Sequence, residues 1–185
     1  MIPEMLQDAE AKMQKSLEVT RHEFTLIRTG RASPTILEHV QVNYFGQELP
    51  IQQVATITVP EPRTLMIAPW DKGALPAIEK AILKSDLNLT PNNDGNSIRL
   101  NIPTLTEERR RELIKQLHKK AEDGHVAIRN VRHETNNHLK AANKKGDISE
   151  DDEKRAQDKL QKLTDKYIVE VDKAVKIKEA ELLEV

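Results

Sequence analysis

The histidines and acids of this chain are the side chains that could perform catalysis or bind a metal, and their spacing favours neither. Six histidines are scattered along the sequence: His22, His39, His118, His125, His133 and His138. His118 and His125 are two helical turns apart and could share a helix face, but no carboxylate stands where it would complete a metal site. The chain has no cysteine, which excludes a thiolate site. We therefore predict no metal site, no cofactor and no catalytic residue.

Sequence motifs for phosphate-bond and acyl-transfer chemistry are also absent. The chain contains neither a G-x-x-x-x-G-K-[ST] nor a G-x-G-x-x-G loop, and neither H-E-x-x-H nor G-x-S-x-G occurs. The acids lie in helix-like surface positions, where charged runs form a solvated face. An enzyme is accordingly the least favoured class of function, and turnover of a substrate by the purified protein alone would restore it.

The chemistry that the sequence does support is phosphate binding along one helix. Residues 109–145 carry eleven Lys and Arg against four Asp and Glu, whereas residues 146–185 carry eight against twelve. At about 100° per residue, eight basic side chains of the first segment fall in one sector: Arg111, Lys115, Lys119, His125, Arg129, Arg132, His133 and Lys140. A strip of this kind can follow a phosphate backbone, with Arg129 and Arg132 close enough to share a patch. Since the strip lacks aromatic residues, folded RNA is a better ligand than single strands. The alternative is that the acidic helix that follows neutralises the strip.

Three segments have the apolar spacing of amphipathic helices. The first covers 2–29, and Gly30 is expected to end it in the left-handed conformation. The second covers 106–144, with Thr106 as N-cap and Gly124 on its apolar seam, where we expect a close approach of helices. The third begins at Ser149, whose following acids resemble a capping box. Three such helices can bury their apolar faces against one another as a bundle.

The segment between the first two helices differs in composition. Residues 31–104 hold only 13 of the 59 charged residues and show four to six strand-like runs, one short helix with Pro76 near its start, and a turn at "PNNDGN". We predict an α+β fold in two domains: residues 1–30 with 105–185 form an elongated three-helix bundle, and 31–104 form a small β/α/β domain inserted between helices 1 and 2. Gly30, Arg31, Pro103 and Thr104 mark the two chain crossings and are predicted to form a hinge. A rigid junction is the alternative.

Four stretches carry a family resemblance: "IRTGRASP", "PTLTEERRRELIK", "VAIRNVRHE" and "ISEDDEKRAQDKLQKLTDKY". Together they resemble the bacterial ribosome recycling factor family, collinearly over essentially all 185 residues. The resemblance implies an L-shaped molecule and a non-enzymatic translation factor. With elongation factor G, which hydrolyses GTP, such a factor disassembles the post-termination 70S ribosome into subunits. Its implied binding surface is large-subunit ribosomal RNA across the A and P sites.

Residue roles follow from the matched motifs. The resemblance implies RNA contacts for Arg129, Arg132 and Arg110; the basic strip adds Lys115, His125 and His133. His125 and His133 stand where many relatives have arginine, and Thr104 stands where relatives often have a second proline, so weaker or more pH-dependent binding and a softer junction are expected here.

The remaining expectations concern location and rivals. The chain has no secretory h-region and no apolar run that would span a membrane, which favours a cytoplasmic protein without membrane contact, and we expect a monomer. The main rival function is a helical scaffold or holdase-like chaperone whose basic strip binds a protein.

Overall fold

The structure is a computed structural model that describes residues 1–184. The chain divides into two compact units. One comprises Met1–Ile27 and Arg111–Ala180, and the other comprises Arg28–Arg110 with residues 181–184. Helices and a small sheet make the fold α+β, as predicted.

The first unit is built from three long helices: α1 (Ile2–Thr25), α3 (Glu107–Lys144) and α4 (Glu150–Leu183). Their buried faces carry the residues that the apolar spacing selected, including Ala9, Met13 and Leu17 on α1. Leu113, Leu117, Ile128 and Leu139 on α3 and Leu160, Tyr167 and Val171 on α4 complete this core. Thr164 is the one fully buried polar residue on α4, and it is tolerated because its hydroxyl donates to the Leu160 carbonyl at 2.8 Å.

The predicted helix starts are confirmed by their capping bonds. The Arg109 N–H donates to Thr106 Oγ1 at 3.1 Å, which satisfies one free donor in the first turn of α3. At α4, the Asp152 N–H donates to Ser149 Oγ at 3.1 Å and the Ser149 N–H donates to Asp152 Oδ2 at 3.4 Å. These reciprocal bonds form a capping box with Asp in place of Glu.

The prediction for the end of α1 is wrong. The helix stops at Thr25, five residues before Gly30, and Gly30 is not among the glycines with positive φ. The last turn tightens instead: the Leu26 N–H bonds the Glu23 carbonyl at 3.3 Å and the Ile27 N–H bonds the Phe24 carbonyl at 3.2 Å. These i→i+3 bonds satisfy the terminal carbonyls, so no left-handed glycine is needed.

The second unit contains six strands and the helix α2 (Leu75–Lys84). Strands β1 (Gln41–Tyr44) and β2 (Gln47–Pro50) form an antiparallel hairpin. The other four strands are β3 (Ala55–Glu61), β4 (Thr64–Pro69), β5 (Pro91–Asn93) and β6 (Ile98–Asn101). They form an antiparallel sheet in the order β3-β4-β6-β5. Its core includes Leu65, Ile67, Ile98 and Leu100 from the sheet and Ile78 from α2.

Strand β5 was predicted to be part of a turn. In the structure Pro91–Asn93 pairs with β6, and the turn is confined to the next four residues. Asp94 closes it, because its carboxylate accepts hydrogen bonds from the N–H groups of Asn96 and Ser97, both at 2.8 Å. These bonds also lower the pKa of Asp94.

Candidate nucleic-acid interface

Helix α3 presents most of the predicted basic strip to solvent. Lys115, Lys119, Arg129, His133 and Lys140 are exposed, Arg132 is half-buried, and the His125 side chain is only 16% exposed. The exposed members follow the three-four spacing that places them on one side of the helix, next to the buried seam. The strip therefore exists as a surface, with His125 at its buried edge.

Arg129 and Arg132 form the centre of this surface. The nearest carboxylate to Arg129 is Glu122, one oxygen of which lies 3.6 Å from Nη1. Arg132 Nη1 donates to Gln161 Oε1 of α4 at 3.1 Å, a bond to a neutral amide that leaves the cationic charge uncompensated. Guanidinium groups can bind phosphate oxygens with two parallel hydrogen bonds, and both of these retain N–H groups for that purpose.

His125 has a different environment from that predicted. Its Nε2 lies 2.8 Å from Asp172 Oδ1 of α4, and its Nδ1 lies 3.4 Å from Glu122 Oε2. Both ring nitrogens are therefore occupied within the bundle. This geometry favours a role in holding α3 against α4 over the predicted RNA contact. His118 makes a similar bridge to Glu179 of α4.

In residues 1–184, the acidic helix α4 forms no ion pair with Arg129 or Arg132. Two ion pairs between α3 and α4 join His118 to Glu179 and His125 to Asp172, so these two acids of α4 meet histidines. No ion pair joins Lys115, Arg129 or Arg132 to α4 in the part of the chain that the structure describes. The positive charge of the strip remains available to an external anion.

Arg110 belongs to the second unit, at the first turn of α3. It is half-buried, and its buried Nε has no hydrogen-bond partner in residues 1–184. Arg110 lines a cavity of about 500 Å³ together with Gly30, Arg31 and Thr104. Across this cavity the Arg31 guanidinium binds the Glu184 carboxylate at 2.5 Å.

The two predicted crossings are attached to one turn of the sheet. The Ala32 N–H donates to the Pro62 carbonyl at 2.7 Å, and the Ile102 N–H donates to the Arg63 carbonyl at 2.8 Å. Arg63 Nε returns a bond to the Ile102 carbonyl at 3.1 Å. Residues 32 and 102 are thus both held by the β3–β4 turn. Gly30, Arg31, Pro103 and Thr104 lie just beyond these attachments.

Sequence reasoning missed the partners of the strip. Gln161 and Asp172 are surface residues of α4, and nothing in the local pattern marks them as neighbours of Arg132 and His125. Which residues of α4 face α3 depends on the rotation and offset of the packed helices, which a single helix does not encode.

No group of three or more His, Asp or Glu in residues 1–184 is arranged to hold a metal ion. No helix in the same range is long and apolar enough to cross a bilayer. The fold and the strip together define an α+β protein that carries a basic surface along one helix. The sequence profile of the ribosome recycling factor family matches residues 20–183. The chain belongs to this family, whose function in protein biosynthesis is ribosome recycling.

Relatives match from end to end. The ribosome-recycling factor of Carboxydothermus hydrogenoformans is 56% identical over 185 residues, which is 100% of both chains. That of Desulforamulus reducens is 55% identical over the same length. A solution structure of the ribosome recycling factor covers 100% of this chain and 98% of its own, with a TM-score of 0.78 and 46% identity. A second structure contains the T. thermophilus ribosome recycling factor and the E. coli elongation factor G bound to the E. coli post-termination complex. The matched chain of that structure and this chain are each covered to 100%, with a TM-score of 0.69 and 47% identity.

Proposed function

We propose that this protein, with elongation factor G and GTP, separates the post-termination ribosome into its subunits. The observation that carries the proposal is the neighbouring arginines Arg129 and Arg132, of which Arg129 has only an exposed pair with Glu122 within residues 1–184 and Arg132 bonds a neutral amide, on a chain that resembles over its whole length a factor solved on the post-termination complex. The protein itself supplies binding and mechanical coupling, while elongation factor G hydrolyses the GTP. It acts in the cytoplasm, as a monomer and without turnover of its own.

The anchor in this proposal is the basic strip on ribosomal RNA of the large subunit, across the A and P sites of the 70S ribosome. Arg129 and Arg132 are the main phosphate ligands, and the exposed Lys115 and His133 extend the contact along α3. Arg110 contributes from the first turn of the same helix. Backbone recognition of this kind suits folded RNA because it reads the path of the phosphates rather than individual bases.

The moving part is the inserted domain, which receives the force from elongation factor G. We place the joint at Gly30, Arg31, Pro103 and Thr104, since the residues just inside them are bonded to the β3–β4 turn. Two crossings restrict twisting more than one would and still permit bending about the line that joins them. The long helices of the bundle would then transmit the displacement to the anchored subunit.

The test is light scattering of post-termination ribosomes mixed with elongation factor G and GTP, with and without this protein. An initiation factor is included to prevent the subunits from rejoining. We expect a fall in scattering that requires both proteins. If no fall occurs with partner proteins from a close relative, subunit separation is rejected as the function. The rival scaffold function also predicts that the affinity for RNA hardly depends on salt, whereas phosphate binding predicts a steep dependence.

A further inference from the structure

Glu122 is an acidic residue on the same side of α3 as the basic strip. Glu122, His125 and Arg129 follow the spacing i, i+3 and i+7, which places the three side chains on one face of the helix. Glu122 Oε1 lies 3.6 Å from Arg129 Nη1, and Glu122 Oε2 lies 3.4 Å from His125 Nδ1. The carboxylate therefore lies within reach of a guanidinium on one side and an imidazole on the other.

His125 is also bound by α4. Its Nε2 lies 2.8 Å from Asp172 Oδ1, which is the shorter of its two contacts, and its side chain is only 16% exposed. A neutral imidazole carries a single N–H group, whereas the protonated ring carries two. A neutral ring that donates Nε2–H to Asp172 presents a bare Nδ1 to Glu122 and cannot bind it. Glu122 therefore pairs with His125 only when the ring is protonated.

The surroundings of this cluster add no further ion pair within residues 1–184. The other charged or titratable side chains one helical turn from Glu122, His125, Arg129 or Asp172 lie on α3 and α4: His118, Lys119, Arg132, His133 and Lys176. In the part of the chain that the structure describes, none of these and no residue of α1 pairs with Glu122, His125 or Asp172. Glu122 is thus the carboxylate that controls the charge available at Arg129 in the described chain.

We propose that Glu122 competes with a phosphate of ribosomal RNA for Arg129 and moves to His125 when that phosphate binds. The ring takes up a proton from solvent at Nδ1, which gives Glu122 a cationic partner in place of the guanidinium. Arg129 then binds the phosphate with its N–H groups. Glu122 is therefore an affinity-determining residue of the RNA contact, and His125 is a positioning residue that acts through it. This inference rests on the function proposed above and concerns the regulation of its RNA-binding surface.

Glu122→Gln removes the competing charge and keeps the length of the side chain. Equilibrium binding to 70S ribosomes is measured at about pH 8, where histidine side chains are mainly neutral. We expect the affinity of the variant to be about threefold higher than that of the parent, within the range that exposed ion pairs contribute. An affinity that is unchanged or lower would overturn the proposal, because Glu122 would then not compete with RNA.

Glu134→Gln is the matched control for charge. It also removes one negative charge from an exposed position of α3, but Glu134 pairs with Lys12 of α1, 3.3 Å away. Its ribosome affinity should stay close to that of the parent, since physiological salt screens exposed charges beyond about 8 Å. Equal gains in Glu134→Gln and Glu122→Gln would overturn the proposal in favour of a general effect of net charge.

Arg129→Ala tests whether Glu122 acts through Arg129. In this background Glu122→Gln should no longer raise the affinity, since there is no guanidinium for the carboxylate to occupy. A gain of the same size in both backgrounds would mean that Glu122 repels RNA directly, which would also overturn the proposal.

The pH profile tests the transfer of Glu122 to His125. As the pH falls from about 8 to about 6, protonation of the ring favours the bound state, so the affinity of the parent should rise. The advantage of Glu122→Gln over the parent should shrink over the same interval, because the imidazolium already holds Glu122. In a His125→Gln background the advantage should be the same at both pH values. A constant advantage in the parent background would overturn the transfer by itself, even if His125→Gln folds poorly.

The outcomes distinguish this inference from the proposed function. If the parent separates subunits but Glu122→Gln binds ribosomes no more tightly than the parent, the inference is overturned and the function stands. If Glu122→Gln binds more tightly in a manner that requires Arg129, but the parent separates no subunits, the competition stands and subunit separation is rejected.

Discussion

Arg129 and Arg132 differ from the neighbouring histidines in the partners that they meet on α4. His125 and His118 meet carboxylates of α4, whereas Arg132 meets the neutral amide of Gln161. Among residues 1–184, Arg129 pairs with Glu122 of its own helix, at 3.6 Å, and exposed pairs of this kind contribute less than about 1 kcal/mol. A phosphate can therefore displace Glu122 from Arg129 at low cost, and Arg132 keeps its charge in any case.

Arg129→Ala and Arg132→Ala are each expected to weaken ribosome binding by about tenfold, since a hydrogen bond to a charged group contributes about 1.5 to 3 kcal/mol. Each should also reduce the slope of log affinity against log salt by about 0.7 to 0.9 for every phosphate that the variant no longer binds. Binding is measured by filter retention or fluorescence at several salt concentrations.

Two control variants test whether the loss of ribosome binding is specific to Arg129 and Arg132. Gln161→Ala removes the bond to Arg132 but keeps its guanidinium, so binding should stay close to that of the parent. Arg155→Ala removes an exposed arginine of α4 that pairs with Asp152, and should also bind normally. A loss of helical circular dichroism in Arg132→Ala would show that this arginine is structural, and equal reductions in binding by all four variants would exclude a specific strip.

At the scale of elements, α1 and α3 approach each other closely at Gly124. A Cβ added there would lie 2.5 Å from Thr20 Oγ1 and 2.8 Å from Thr20 Cγ2. Thr20 cannot easily move aside, because it is 5% exposed and its hydroxyl donates to the Ser16 carbonyl at 2.8 Å. The glycine is therefore a packing residue, as its place on the apolar seam predicted.

Gly124→Ala tests this packing. Helix propensity favours Ala by about 1 kcal/mol, but overpacking costs about 1 to 3 kcal/mol, so we expect a net loss of about 1 kcal/mol in the free energy of unfolding. Urea denaturation measures it. In a Thr20→Ala background the contacts at 2.5 and 2.8 Å are removed and only the Cβ of residue 20, at 3.2 Å, remains, so Gly124→Ala should then be close to neutral. If Gly124→Ala stabilises the parent protein by itself, the helices are not in close contact.

The pair between Glu23 of α1 and Lys120 of α3, at 2.6 Å, links stability to pH. The hydrogen bond and charge of Lys120 lower the pKa of Glu23 in the folded protein. A carboxyl whose pKa is lower when folded stabilises the protein above its unfolded pKa, and this contribution disappears as the pH falls through the folded pKa. Since both side chains are partly exposed, the contribution is about 0.5 kcal/mol.

Glu23→Gln is therefore expected to lower the free energy of unfolding by about 0.5 kcal/mol at pH 7. The difference from the parent should vanish at acid pH, below the ordinary range of a glutamate pKa. Glu18→Gln provides the control, since Glu18 accepts a hydrogen bond from the neutral Gln14 of the same helix and forms no ion pair within residues 1–184. A difference between Glu23→Gln and the parent that persists unchanged into acid would show that the charge of Glu23 is not its cause.

The sequence predicted those elements whose signals are local. Thr106 and Ser149 mark their helix starts by their own side chains, and the seams of α1, α3 and α4 follow from periodicity alone. The end of α1 was mispredicted because a glycine such as Gly30 is recognised in the sequence as a helix end. The helix actually ends in an i→i+3 turn at Leu26, which is formed by backbone hydrogen bonds between residues that carry no such signal. Strand β5 was missed because its pairing with β6 is not visible in a polar "PNN" segment. Register between helices, which pairs His125 with Asp172, is a tertiary property and was not predictable.

At the scale of the whole molecule, the basic surface and the exposed aromatic side chains of Phe45 and Trp70 lie in different parts of the chain. The bundle carries the basic strip, and residues 31–104 are nearly neutral and carry the exposed aromatic rings. This separation suits a factor that holds RNA with one part and is acted on by a protein at another. The proposed function requires that force on one part reach the other, so it predicts that substitutions at the crossings change subunit separation.

Gly30→Val tests whether the first crossing is a joint. Gly30 is not in the left-handed region, and no atom lies within 4 Å of a Cβ built on it, so the folded state accommodates a side chain with a change in stability within about 0.5 kcal/mol. A β-branched residue nevertheless restricts the backbone conformations that bending would require. We expect the rate of subunit separation to fall while ribosome affinity stays within about twofold of the parent, with Gly30→Ala intermediate. Light scattering and equilibrium binding give the two quantities. Equal reductions in both would count against a joint at Gly30, and an unchanged separation rate would favour the rigid junction.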